Sequence, residues 1–123
     1  MSKRVLVFGT FDRIHAGHEF FLRSAKSRGT TLIVGVARDA HVVELKEHKP
    51  HIIESKRLRA VEMLGAVDEA VLCDEALNSF HIIEETKPDL IVLGHDQMEL
   101  EQALITWMGE HGHYVPMVRS KKV

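Results

Sequence analysis

Little in this sequence could staple a fold covalently or carry it across a membrane. Cysteine occurs once, as Cys73, so an intramolecular disulfide framework and a thiolate-rich zinc site are both excluded. No apolar run approaches the roughly 20 residues of a membrane span. The opening Met-Ser-Lys-Arg also lacks the apolar stretch of a secretory signal. The expectation is a soluble, cytoplasmic protein that engages no membrane. Neither GxxxxGK[ST] nor GxGxxG occurs, which disfavours a kinase-type phosphate loop and a dinucleotide fingerprint. Linkers, internal repeats and low-complexity segments are missing too, so residues 1–123 are read as one domain.

What is present is ordinary globular composition, 45% hydrophobic and 28% charged over 123 residues. A chain of this length buries roughly two-thirds of its unfolded surface, enough for a core without staples. The net charge of -2 hides an asymmetry: residues 1–60 carry +6 and residues 61–123 carry -8. That split suggests an anionic ligand held by the first half, not a nucleic acid, which would want basic charge throughout. The nine histidines are spread along the chain, as expected for mostly surface residues.

Short apolar runs alternate with amphipathic stretches. Val5 to Phe8, Leu32 to Ala37, Ala70 to Cys73 and Leu90 to Leu93 read as strands covered on both faces. Tyr114 to Val118 reads as a fifth, placed at an edge because Pro116 removes a ladder donor. Helices are expected around Phe20 to Ala25, stopped by Gly29, and around Leu58 to Leu64, capped by Ser55. Two more follow around Phe80 to Thr86, before Lys87-Pro88, and around Leu100 to Trp107. Strands alternating with helices predict an α/β fold, a Rossmann-like, doubly wound, five-stranded parallel sheet with helices on both faces. Ligands of such sheets bind outside the strands' carboxyl ends, which puts weight on the loops after Phe8, Ala37 and Leu93.

The first of these loops reads Gly9-Thr10-Phe11-Asp12-Arg13-Ile14-His15-Ala16-Gly17-His18. Two histidines three residues apart at a helix start share one face, beside free backbone N–H groups and a positive dipole end. Imidazole N–H groups there suit a phosphate whose charge grows in a transition state. The string resembles the GTFDxxHxGH signature of the small cytidylyltransferase-like family, a branch of the HxGH nucleotidyltransferases. Arg38-Asp39, Lys46, Lys49-Pro50 and Arg57 are similar to the family's basic segment after its second strand. Leu93-Gly94-His95-Asp96-Gln97 resembles the LGxDQ run of archaeal FAD synthases, and Lys87-Pro88-Asp89 also fits.

The resemblance implies a nucleotidyltransferase domain that moves a nucleoside monophosphate from Mg²⁺-bound ATP or CTP to a phosphorylated acceptor, releasing pyrophosphate. By position it implies that His15, His18 and Lys46 are catalytic. Gly9, Thr10, Phe11, Asp12, Ala16, Gly17, Asp96 and Arg119 would bind the nucleotide, with Asp12 organising its loop or meeting Mg²⁺. Lys49, Arg57 and His48 would hold the acceptor phosphate. FMN is the first choice of acceptor, glycerol 3-phosphate the second and a heptose-type sugar phosphate the third. A nucleotide-binding sensor without turnover is the alternative of another class, and a homodimer is expected.

The family's Arg-led RTxGISTT segment is represented only by Arg119-Ser120-Lys121-Lys122-Val123. A carboxyl-terminal tail is therefore expected to be lacking, or the triphosphate site to close differently. Cys73 reads as a core residue, Trp107 as core or dimer packing, and His111-Gly112-His113 as a turn; His41 and His51 flank the basic segment as secondary acceptor candidates.

Overall fold

Five parallel strands form one sheet flanked by helices, and the computed structural model describes residues 2–120 of the chain. In sequence they run β1 (Arg4–Gly9), α1 (Ala16–Lys26), β2 (Thr31–Val36), α2 (Asp39–Lys46), α3 (Glu54–Glu62) and β3 (Glu69–Leu72). Then follow α4 (His81–Thr86), β4 (Leu90–Leu93), α5 (Met98–His111) and β5 (Met117–Arg119). Side by side the order is β3-β2-β1-β4-β5. The chain thus winds outward one way from β1 to β3, then crosses back to β4 on the other side of β1. The crevice above β1 and β4 is the switch point where such sheets bind ligands. Among the described residues no helix is long and apolar enough to cross a membrane.

Alternation along β1 builds both faces. Leu6 and Phe8 join Ile33, Ile91 and Leu93 under Ile82 and Ile83 of α4 and Leu104 and Trp107 of α5. Val5 and Val7 join Leu32, Val34 and Val92 under Leu22 and Ala25 of α1 and Val61 of α3. The interior strands are buried on both sides, which is why their sequences read as unbroken apolar runs. Trp107 is core: it packs edge-on against Phe80, ring centroids 6.4 Å apart.

Four local features differ from the sequence reading. The stretch after Ala37 holds a helix, α2, with no apolar stripe to announce it; of its described side chains only His41 and Val42 are buried. Helix α3 starts from Ile53 instead of Ser55, which lies exposed within its first turn. The last strand begins at Met117, after Pro116, whose carbonyl accepts the Ile91 N–H at 2.9 Å. Gly29 does not stop α1 by a left-handed turn; the helix ends at Ser27 in right-handed geometry.

Gly29 is required for space. A Cβ there would stand 2.7 Å from the Lys3 carbonyl oxygen and 2.6 Å from Val5 Cγ2. That carbonyl already accepts the Thr30 and Thr31 N–H groups at 2.9 and 3.1 Å, so it cannot retreat freely. Gly29→Ala is expected to cost about 1–3 kcal/mol through overpacking, read as a lower urea midpoint at unchanged slope; an unchanged midpoint would reject this packing account.

Candidate active site

Strand β1 delivers the chain to Gly9, and the next turns are shaped by Phe11. Phe11 is buried with φ of 53°, and its ring leaves no room for a side chain at position 9, where a Cβ would lie 2.5 Å from it. The same ring meets His18 edge-on at 5.2 Å. His15 is the N-cap of α1, its Nδ1 accepting the Gly17 N–H at 3.1 Å. His18 answers in reverse, its Nδ1 accepting the His15 N–H at 3.4 Å. The two rings stack with centroids 3.9 Å apart and an interplanar angle of 21°.

This reciprocal capping has a chemical consequence. An Nδ1 that accepts from backbone carries no proton, so each neutral ring keeps its proton on Nε2. Burial, then the charges of His15 and Lys46, holds the His18 pKa below its ordinary value, against a backbone carbonyl at Arg13 that favours the charged ring. His18 is therefore neutral at pH 7. The pair presents imidazole donors at a helix N-terminus, where the dipole already favours an anion.

Around this pair the carboxyl ends of the strands open into one cleft of about 1020 Å³, the scale of small-molecule sites. Its walls come from Gly9–Arg13, His41, Lys46, His51, the β3–α4 connection, Gly94–Gln97 and Ser120. Gln97 bridges the switch point: its Oε1 accepts the Gly94 N–H at 2.7 Å and its Nε2 donates to the Phe8 carbonyl at 3.0 Å. Asp12 ties the first loop to the α2–α3 connection by accepting the His51 and Ile52 N–H groups, both at 2.8 Å. Burial would raise the Asp12 pKa, but these two donors, with the His51 and Arg57 charges, outweigh it and hold the carboxyl below its usual range.

Comparison with known proteins gives the chain its family. A cytidylyltransferase-like family model matches residues 6–120. The chain belongs to the cytidylyltransferase-like family. It is 45% identical to the FAD synthase of Methanococcoides burtonii, over 94% of this chain and 79% of that protein. It is 43% identical to the FAD synthase of Aciduliprofundum boonei, over 97% of this chain and 78% of that one. Among solved structures, the lipopolysaccharide core biosynthesis protein of Thermoplasma volcanium superposes with a TM-score of 0.89 at 35% identity, covering 100% of this chain and 99% of that one. The chain is accordingly an enzyme, a nucleotidyltransferase.

Seen in this nucleotidyltransferase, most residues singled out from sequence converge: Gly9, Thr10, Phe11, Asp12, His15, Gly17, His18, Lys46 and Asp96 all line the cleft. Gly17 needs a correction of role. Its N–H is taken by His15, and a Cβ there would sit 2.9 Å from His15 Cε1, so it makes room for the ring instead of offering a free amide. Of the two roles expected for Asp12, the structure shows the loop-organising one, each carboxylate oxygen being held by a backbone donor.

Arg57 is the clearest correction. It is fully buried and cannot hold an acceptor phosphate. Its guanidinium donates to the Ile52 carbonyl at 2.8 Å, the Thr10 carbonyl at 2.7 Å and Asp39 Oδ1 at 2.7 Å. His48 and Lys49 are exposed and stand outside the cleft lining, with His48 Nδ1 3.0 Å from the Lys49 carbonyl. Arg119 pairs with Glu101 instead of turning to the cleft. Ala16, exposed at the head of α1, does not line it either, and Lys121–Val123 lie outside the described residues.

Sequence reasoning missed the wall that follows β3, where Asp74, Leu77, Asn78 and Phe80 face the cleft. The Asn78-Ser79 turn after an apolar run was the available signal. Cys73 also borders the cleft, but burial, then the Asp74 charge, pushes its thiol pKa up to about 12, so it is an inert packing group.

Two outcomes test this geometry. His18 should titrate below 6.5 in NMR spectra, and Lys46→Ala should move it upward by removing a nearby positive charge. The folded chain then binds fewer protons at His18 than the unfolded chain, so this contribution to stability is complete above pH 6.5 and is lost as pH falls through the folded pKa. Removing the buried guanidinium with Arg57→Met is expected to cost about 3 kcal/mol in urea unfolding, because it strands Asp39 and two carbonyls; a cost within experimental scatter would show that the clamp contributes nothing.

Proposed function

We propose that this nucleotidyltransferase moves AMP from Mg²⁺-bound ATP to FMN, making FAD and pyrophosphate. The observation that carries the reading is the histidine pair, capped and stacked at the head of α1 inside the cleft. The choice of FMN rests on likeness to proteins named FAD synthase, at 45% and 43% identity over nearly the whole chain.

In the step, an FMN phosphate oxygen attacks the α-phosphorus of ATP. A P–O bond forms there as the bond to the bridging β-oxygen breaks, and its electron pair leaves with pyrophosphate. No protein base is required: a phosphate monoester has a second pKa of about 6 and is mostly dianionic at pH 7. Rate then comes from alignment and charge stabilisation. The Nε2–H groups of His15 and His18 would donate to oxygens on and next to the α-phosphorus, where negative charge grows. Lys46 would add a cation on the facing side, and Thr10 and Phe11 would line the nucleotide. Asp96 would meet the nucleoside beyond β4. Mg²⁺ enters with the triphosphate as part of the substrate.

One observation favours a second reading, cytidylyl transfer to a sugar phosphate: the Thermoplasma volcanium protein is matched over 99% of its length and is named for lipopolysaccharide core biosynthesis. Its identity of 35% is lower than that of the FAD synthases. Pyrophosphate release with Mg-ATP and Mg-CTP, crossed against FMN, glycerol 3-phosphate and a heptose phosphate, separates the readings. Release with ATP and FMN alone, with FAD as product, is expected. Release with CTP and the sugar phosphate would overturn the FMN assignment, and NTP binding without turnover across the grid would mean a sensor. His15→Ala and His18→Ala should each lower kcat by about 100-fold or more, the usual loss for a transition-state donor.

A further inference from the structure

The cleft has a half that the nucleotide does not need. In the order β3-β2-β1-β4-β5, the histidine loop rises from the middle strand. Asp96 and Ser120 lie beyond β4 and β5 on one flank, while His41 and the β3–α4 connection lie beyond β2 and β3 on the other. A transferase joins two substrates in line across its catalytic groups. With the nucleoside on the β4 flank, the acceptor takes the β3 flank.

We infer that the connection from Asp74 to Phe80 binds the flat heteroaromatic ring of the acceptor, with Leu77 against the ring face and the Asn78 amide on its polar edge. This rests on the FMN reading. The connection is built as a stiff wall. Asp74 accepts from the Ser79 hydroxyl at 2.7 Å and from the His81 N–H. Arg38 Nε donates to the Cys73 carbonyl at 2.6 Å. His41 Nε2 lies 2.8 Å from the Glu75 carbonyl, and since a carbonyl only accepts, the imidazole is the donor. Asn78 and Phe80 hold φ of 64° and 48°, left-handed geometry that asparagine tolerates and phenylalanine resists. Such strain persists where the surroundings over-determine it.

Every polar group that fixes the wall is thus occupied within it, and the Asn78 side chain is not among them. It makes no hydrogen bond to another described residue and faces the cleft. A primary amide carries one donor side and one acceptor side. The dione edge of an isoalloxazine presents carbonyl, N–H and carbonyl in a row, so one amide can pair with a carbonyl and the adjacent N–H. Leu77, half-buried at the cleft edge and backed by the buried Phe80, offers apolar surface to a flat ring and nothing to the hydroxyls of a small polyol phosphate. The wall therefore selects an aromatic acceptor and directs its phosphate toward the histidines.

The test uses the full chain, FMN fluorescence quenching for binding and pyrophosphate release for turnover. Asn78→Gly keeps the positive φ and removes the amide; Asn78→Asp keeps the shape and replaces the donor; Leu77→Ala removes the apolar contact. Each should raise the FMN Kd and KM by about 5- to 20-fold while the ATP KM stays within about twofold. If wild type makes FAD and the variants keep wild-type FMN constants, the inference falls and the FMN reading stands. An equal rise in FMN and ATP KM also overturns it, because the wall would then act only through general structure. If wild type neither binds FMN nor makes FAD, the FMN reading fails and takes the inference with it.

Discussion

The guanidinium of Arg57 has no contact with water, and the end of the sheet that carries the histidine pair is organised around it. It holds the Thr10 carbonyl, the Ile52 carbonyl and the Asp39 carboxylate, which belong to three different chain segments. Asp12 repeats the tie from the other direction through the His51 and Ile52 N–H groups. Loops otherwise fray, because few of their backbone groups have partners. Here a buried charge must keep its partners or bear a large desolvation cost, and that obligation makes the first loop, the head of α2 and the α2–α3 connection behave as one rigid rim. Lys46, at the far end of α2, inherits its place from that rim.

Within the rim the histidines are positioned by backbone as much as by packing. Each ring satisfies an amide that the start of α1 would otherwise leave unpaired, and each is thereby committed to a tautomer with its proton on Nε2. Capping occupies Nδ1 of each ring and leaves the Nε2 proton free of that duty. Phe11 adds the lateral constraint, wedged over Gly9 and edge-on to His18. A donor fixed before the substrate arrives loses no reorganisation energy when charge develops, which is the usual source of large electrostatic rate effects.

The doubly wound order divides labour across the cleft. The histidine loop stands on the central strand, so two substrates can approach from opposite flanks and meet above β1. Gln97 holds that meeting point by joining the β4 loop to the end of β1. With Leu77 at its edge, the wall after β3 gives the far flank a less polar character than the Gly94–Gln97 turn, a contrast that fits the proposed pairing of two dissimilar substrates in one cavity.

Much of this was written in the chain itself. Unbroken runs such as Leu90 to Leu93 imply strands covered on both faces, because only burial on both sides removes the need for alternation. The string from Gly9 to His18 carried its loop, its helix start and its family. What sequence could not determine was the fate of individual polar groups. Arg57 and Lys49 look alike as basic residues near one another in the chain, yet one is sealed under three acceptors and the other faces solvent. Helix α2 was hidden because its described side chains form no apolar stripe. The wall from Asp74 to Phe80 was hidden because its contribution depends on β3 lying two strands from β1. Periodicity reports which face of an element is buried; which hydrogen-bond partners meet depends on residues far apart in sequence, and only the tertiary structure brings them together.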